Sequence, residues 1–193
     1  MMLKKIIKLI RNIVCLVGLI CVSPLLIIAG LIIVIEDGFP AFFVQERIGL
    51  DKNTFKIIKI RTLKKNTPNI GTHELKNSNM LKNGSWIRKI KLDEFPQLIN
   101  VLKGELNLVG PRPGLVSQEK LLEERSLKNI YTVRPGITGL AQILGYDMSD
   151  PKKLAEIDEA YIINKSIFLD FLIIIGTFLN FPKKSIKKRF KIC

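Results

Sequence analysis

Hydrophobic positions are spread very unevenly along the 193 residues. From Ile13 to Ile35 they run on without a charge for 23 positions, long enough for a helix to cross a hydrocarbon layer of about 30 Å. The pattern then changes. Phe42 to Arg47 reads as a strand, Gly49 to Asn53 as a turn and Phe55 to Arg61 as the returning strand. Alternation breaks at Ile57-Ile58, which predicts a bulge or burial on both sides; beyond the break Lys59 and Arg61 share a face. Residues 62–83 are polar, rich in Asn and Lys, and predict a mobile loop. Phe95, Leu98, Ile99 and Leu102 then follow the spacing of one buried helix face. Pro96 falls in the first turn of that helix, Gly104 closes it, and Asp93 sits at or near its N-cap. Leu154, Ile157 and Tyr161 mark a further amphipathic helix, with Glu156, Asp158 and Glu159 as its solvated face. Ser166 caps a last helix running from Ile167 to about Phe181. Its apolar stretch after Asp170 is too short to span and suits a helix lying in a membrane interface.

Charge narrows the reading of the long apolar run. The chain carries 31 basic and 17 acidic side chains, a formal net charge of +14. Such a surplus predicts an anionic partner. Aromatic residues are few and show no base-stacking pattern, which disfavours nucleic acid. The run is too long for a cleaved signal peptide. Lys4, Lys5, Lys8 and Arg11 precede it, and the chain that follows is also basic, so both flanks prefer the same side of a membrane. Ser23-Pro24 lies midway and predicts a kink. These features leave a spanning helix and a re-entrant one both open. At the far end Lys183, Lys184, Lys187, Lys188, Arg189 and Lys191 form a basic tail suited to anionic lipids. Cys15, Cys21 and Cys193 are too scattered for a disulfide framework or a zinc site. His73 is the single histidine, which leaves little room for His-based catalysis.

Candidate chemistry gathers around Asp93-Glu94. A helix start needs one acid at most, and two adjacent carboxylates repel unless a cation attends them. Arg88, Lys89 and Lys91 lie just upstream; Arg112 lies downstream, held between Pro111 and Pro113 on a stiff backbone that suits a fixed guanidinium. Lys59 and Arg61 add two cations able to hold a phosphate. Arg134-Pro135-Gly136-Ile137-Thr138-Gly139 is a second arginine-bearing turn.

These stretches carry a family resemblance: Ser23-Pro24, Phe43-x-Gln45-x-Arg47-x-Gly49, Phe55-x-x-x-Lys59-x-Arg61-Thr62, Arg88, Leu92-Asp93-Glu94-x-Pro96-Gln97-Leu98-x-Asn100-Val101-Leu102-Lys103-Gly104, Val109-Gly110-Pro111-Arg112-Pro113, and Arg134-Pro135-Gly136-Ile137-Thr138-Gly139-x-Ala141-Gln142. In order and along nearly the whole chain, they resemble the monotopic phosphoglycosyl transferases, the bacterial polyprenyl-phosphate sugar transferases. The resemblance implies an α+β fold with an N-terminal re-entrant membrane helix broken at Ser23-Pro24, a small β-hairpin and several amphipathic helices at the membrane interface. It implies a re-entrant helix over 1–37, a catalytic domain over 38–165 with its loop at 62–83, and an interfacial helix with a basic tail over 166–193. It also implies transfer of a sugar 1-phosphate from a UDP-sugar to undecaprenyl phosphate with release of UMP, as the first membrane step of glycoconjugate synthesis, on the cytoplasmic face of a bacterial inner membrane. Asp93 would be the nucleophile and a ligand to Mg2+, with Glu94 beside it; Lys59, Arg61, Arg88, Arg112, Arg134 and Gln142 would bind substrate. Anionic lipids and downstream glycosyltransferases are the further partners expected. The oligomeric state is left open.

One departure stands out. After Ala141-Gln142 the family commonly shows Asn-Gly-Arg, and here the chain reads Leu144-Gly145-Tyr146-Asp147. A phosphate-binding arginine is exchanged for Tyr146, so Arg134 or another cation takes over, or the sugar pocket differs. The rival readings are a non-catalytic membrane-anchored scaffold with a basic surface and, less favoured, an anchored nucleic-acid binder.

Overall fold

In the computed structural model the described residues are 2–68, 79–179, 186 and 190, without the side chains of Leu3 and Lys4. The middle of the expected loop at 62–83 and most of the basic tail lie outside them. The fold is α+β. It divides into two compact units, one comprising the chain up to Gln45 with Lys56–Gly104, the other Glu46–Phe55 with the chain from Glu105 onward.

The first unit is organised by α1 (Met2–Asp37), a 36-residue helix. At about 1.5 Å per residue it exceeds the thickness of a hydrocarbon core, and it is long and apolar enough to cross a membrane. The break expected at Ser23-Pro24 does not interrupt the helix: Pro24 lies inside it. The physical reason is a local substitution. Pro24 has no N–H to offer the carbonyl of Ile20, four residues back. The Ser23 hydroxyl donates to that same carbonyl instead, at 2.8 Å. One stripe of α1, carrying Cys15, Leu26, Ala29 and Ile33, is buried, whereas Ile20, Ile27 and Leu31 on the other faces are exposed. Leu26, Ala29 and Ile33 join Ile60, Leu81, Ile87 and Leu92 in one core, and the Leu98 side chain lies against Gly18.

Strands β1 (Phe42–Ile48) and β2 (Thr54–Ile60) form the two-stranded hairpin expected from the alternation. Ile57 and Ile60 are buried and Ile58 partly so, as two-sided burial requires. Two short helices follow, α2 (Gly84–Lys89) and α3 (Leu98–Lys103), the second ended by Gly104 at φ 81°. The helix expected behind Asp93 does not start as an α-helix. Leu92–Gln97 is a 3-10 segment, and its cap position falls on Lys91 rather than on Asp93. Three residues per turn instead of 3.6 shift the helix phase. Gln97, Asn100 and Val101 are therefore buried, while Ile99 is exposed and Leu102 only half-buried. Asn100 explains the polar position in this core. Its Nδ2 donates to Lys56 O at 2.8 Å and its Oδ1 accepts Ile58 N at 3.3 Å, the pair of bonds a neighbouring strand would make to β2.

The second unit is built on β3 (Asn107–Val109) and β4 (Gly136–Thr138), a parallel pair with Asn107 opposite Gly136 and Val109 opposite Thr138. The two arginine-proline motifs thus flank one structural element. Gly110 and Gly136 are required by close backbone approach: a Cβ on Gly110 would lie 2.8 Å from Arg134 O, and one on Gly136 2.6 Å from Val109 C. Helices α4 (Glu119–Leu127), α5 (Leu140–Leu144), α6 (Pro151–Ile163) and α7 (Ile167–Phe178) complete the unit. Leu154, Ile157 and Tyr161 of α6 are in its core, as their spacing predicts. Asp158 corrects the expectation of a solvated acidic face: it is 2% exposed and paired with Arg125 of α4. α7 starts as expected, with Ser166 Oγ accepting Leu169 N at 3.2 Å. It buries Leu169, Ile173 and Gly176 and exposes Ile167, Phe168, Phe171 and Phe178.

Asn100→Ala removes the side chain that pairs with one carbonyl and one N–H of β2, and each such hydrogen bond contributes roughly 0.5–1.5 kcal/mol. The purified variant is expected to unfold at a lower temperature than the parent, and an unchanged midpoint would refute the bridging role.

Candidate active site

Asp93 and Glu94 enter the first unit through a tight reversal. α2 ends at Lys89, and Lys91 adopts the left-handed conformation at φ 59° before the 3-10 segment begins. A non-glycine residue there costs on the order of 1 kcal/mol, and the reversal sets Arg88 and Asp93 on either side of it. Asp93 is 7% exposed. Glu94 is half-buried and accepts a charge-assisted bond from Lys59 Nζ of β2 at 3.3 Å, both side chains being 16% exposed. Arg88 Nε donates to Thr62 Oγ1 at 2.7 Å. The first unit therefore joins Lys59 directly to Glu94 and carries Arg88 and Asp93 on adjoining turns. Such a set gathers carboxylates and cations in one place, an arrangement that suits the handling of an anionic ligand.

Arg61 has a different place. Strand alternation sets it on one face with Lys59, yet β2 ends at Ile60 and the two side chains engage different groups. Arg61 is 5% exposed. Its guanidinium donates to the Asp37 carboxylate, to Gly38 O and, from Nε at 2.7 Å, to Pro40 O. It fastens the end of α1 to the turn that leads into β1.

In the second unit the loop that carries Arg112 is held through four successive carbonyls. Pro111 O accepts Gly136 N at 2.9 Å, Arg112 O accepts Arg125 Nη1 at 2.8 Å, Pro113 O accepts Arg47 Nη1 at 3.1 Å, and Gly114 O accepts Ile48 N at 3.0 Å. Burial and the charge of Arg112 pull the Arg47 guanidinium down to about 10, so two like charges are kept close together. Arg125 is braced in turn by Asp158, with Nε at 3.0 Å and Nη2 at 2.6 Å from Oδ2. Burial pushes the Asp158 carboxyl up, and the adjoining guanidinium opposes that shift. Arg134 is exposed, two residues before β4 begins. Gln142 Nε2 donates to Ile137 O at 3.3 Å, and its buried Oε1 has no partner among the described residues. Tyr146 packs against the core of the unit, and Asp147 Oδ1 accepts Ser149 N at 2.9 Å. The position of the missing arginine is thus filled by a structural tyrosine.

Gln97 stands in the motif after Asp93, but the sequence assigns it no role. It is 2% exposed, and its Nε2 lacks an acceptor among the described residues. Its signal was a polar side chain inside an apolar run, one turn beyond Asp93. No group of three or more His, Cys, Asp or Glu side chains gathers for a metal among the described residues. Two adjacent carboxylates nevertheless suit Mg2+, which typically takes one or two carboxylates and completes its shell with substrate phosphates and water.

Comparison with known proteins gives a consistent result. Residues 3–184 match the family described as bacterial sugar transferase. The chain is 39% identical over 154 residues to an uncharacterised sugar transferase, EpsL, of Bacillus subtilis, covering 80% of this chain and 76% of that one. It is 36% identical over 166 residues to the UDP-N-acetylgalactosamine-undecaprenyl-phosphate N-acetylgalactosaminephosphotransferase of Aeromonas hydrophila, covering 80% of this chain and 38% of the relative. It is 34% identical over 166 residues to the UDP-glucose:undecaprenyl-phosphate glucose-1-phosphate transferase of Caulobacter vibrioides, with 80% and 61% covered. The matched region thus spans less than two thirds of the latter two proteins.

Asp158→Ala leaves Arg125 buried without its counter-charge, and loss of one member of a buried pair costs about 3–5 kcal/mol. A large fall in the unfolding midpoint is expected. Replacing both members, Asp158→Leu with Arg125→Met, recovers much of it; a double variant no more stable than the single one would contradict this.

Proposed function

The chain belongs to the bacterial sugar transferase family, and from that premise we propose that it transfers a sugar 1-phosphate from a UDP-sugar to undecaprenyl phosphate at a membrane surface, releasing UMP. The observation that carries this reading is the buried Asp93 beside the Lys59–Glu94 ion pair, in the unit built on the apolar helix α1. The names of the Aeromonas and Caulobacter relatives supply the substrate classes.

The proposed route has two displacements. A carboxylate oxygen of Asp93 attacks the β-phosphorus of the UDP-sugar. The bond from that phosphorus to the bridging oxygen breaks, and UMP leaves with the oxygen and the electron pair. An acyl phosphate that joins Asp93 to the phosphosugar remains. An oxygen of the lipid phosphate then attacks the same phosphorus, the bond to Asp93 breaks, and the carboxylate is restored as the lipid diphosphate sugar forms. Lys59 and Arg88 hold phosphate oxygens as charge shifts, and Glu94 orients Lys59. Arg112 is the proposed phosphate-binding cation of the second unit. Asp93 and Glu94 would be the residues to hold Mg2+, which would supply Lewis-acid neutralisation of diphosphate charge.

A lipid acceptor requires access to the bilayer. α1 is proposed to enter and leave by the cytoplasmic face of a bacterial inner membrane. Cys15, Leu26, Ala29 and Ile33 are covered by folded protein, whereas a free-standing span is in lipid on all sides. Positive charge on both flanks supports the same topology. The exposed aromatic face of α7 is proposed to rest in the interface. The reaction would open the assembly of an exported polysaccharide or another glycoconjugate, with downstream glycosyltransferases acting on the product.

With Mg2+, undecaprenyl phosphate and a panel of UDP-sugars, the purified protein is expected to release UMP, and chelation of the metal to stop it. Asp93→Asn should lower release by on the order of 10⁴-fold or more, as loss of a nucleophile does, and Glu94→Gln should impair it. Near-normal turnover by the Asp93 variant would remove that residue from the nucleophile role. For topology, cysteines placed at Lys4 and Lys64 should label from the same side of the membrane; labels on opposite sides would refute re-entry.

A further inference from the structure

Glu36 and Asp37 end α1 side by side, where the helix dipole disfavours negative charge, and neither takes part in the chemistry proposed above. Each is nevertheless occupied. Glu36 Oε1 accepts Lys82 N at 2.5 Å, and its Oε2 accepts Asn83 N at 3.1 Å and Asn83 Nδ2 at 2.8 Å. These residues lie directly ahead of α2, whose own cap residue, Asn83, makes no side-chain cap bond. The carboxylate from the end of α1 therefore receives backbone donors at the entry to α2 that would otherwise be left to water.

The helix so held carries Arg88. Its position is fixed by two further contacts. Leu81 N donates to Thr62 O at 3.1 Å. Gly84 backs onto the Thr62 backbone, where a Cβ would lie 3.1 Å from Thr62 C. Arg88 Nε then reaches Thr62 Oγ1. Asp37 works on the other side of Thr62: it accepts Lys65 N at 3.2 Å and pairs with Arg61, two residues beyond Lys59. The acidic end of the membrane helix thus grips both chain segments that carry the cations of the first unit.

We propose that Glu36 is a positioning residue: it fixes α2, and through it Arg88, at the end of α1. This rests on the reading of Arg88 as a phosphate-binding residue. The test is a double-mutant cycle on the full chain in phosphatidylglycerol-containing vesicles, with Mg2+, undecaprenyl phosphate and whichever of UDP-glucose and UDP-N-acetylgalactosamine supports UMP release. Glu36→Ala, Arg88→Lys and the double variant are compared by kcat/KM, with unfolding temperature measured in parallel. Glu36→Ala is expected to lower kcat/KM about tenfold or more in the parent and by no more than about threefold in the Arg88→Lys background, the non-additivity of residues acting through one another. Glu36→Gln, which keeps one acceptor, should fall between Glu36→Ala and the parent. Equal losses in both backgrounds, following a lowered unfolding temperature, would overturn the proposal and leave a purely structural role. Full activity of Glu36→Ala would overturn it too. If Arg88→Lys is as active as the parent, or no UDP-sugar yields UMP from the parent, the failure lies in the functional reading and the positioning proposal falls with it.

Discussion

A long apolar helix that leads into folded protein must end in a way that turns the chain and leaves no backbone group stranded. Here Arg61 meets that constraint. Its guanidinium binds the last carboxylate of α1 and the carbonyls of Gly38 and Pro40, so one buried cation closes the helix and aims β1. The hairpin, the strand position of Lys59 and the packing of Leu26, Ala29 and Ile33 against Ile60, Ile87 and Leu92 all follow from where α1 stops. A guanidinium suits the task because it can donate in several directions in one plane without losing its charge.

The second unit solves a related problem differently. Proline on either side of Arg112 restricts the backbone, but a restricted loop still has to be placed. Four consecutive carbonyls are each given a donor, two from backbone and two from arginines. Arg125 is held by a carboxylate that is itself almost completely buried. Desolvating such a pair is expensive, and its return is positional more than energetic.

Much of this was legible in the sequence where a rule is local. Alternation placed the hairpin to within a residue or two, Ser166 marked the start of α7, Gly104 marked the end of α3, and the spacing of Leu154, Ile157 and Tyr161 found the core face of α6. Part of what escaped depends on contacts distant in sequence, and part on the local backbone form. Asp158 looks like a surface acid until Arg125 is seen across from it, 33 positions away. Arg61 looks like a partner of Lys59 because strand alternation carries no information about where the strand stops. The phase after Asp93 was misjudged because a 3-10 turn and an α-turn begin with the same residues. Pro24 reads as a break unless the hydroxyl before it is counted as a replacement donor. The parallel pairing of the two arginine-proline motifs has no local signature; only the crowding of Gly110 and Gly136 explains their composition. For the candidate site, the residue types and their order were readable, whereas the pairing of Lys59 with Glu94 and the burial of Gln97 required coordinates.

The seclusion of Asp93 has a bearing on fidelity. A carboxylate that takes up a phosphosugar creates a mixed anhydride, a species that water destroys. On the proposed route every encounter with water before the lipid arrives would waste a nucleotide sugar and release a free sugar phosphate. A side chain with 7% of its surface open admits few such encounters. On that route the burial that makes this carboxylate hard to reach would also govern how much activated sugar is lost to the solvent per molecule delivered to the membrane.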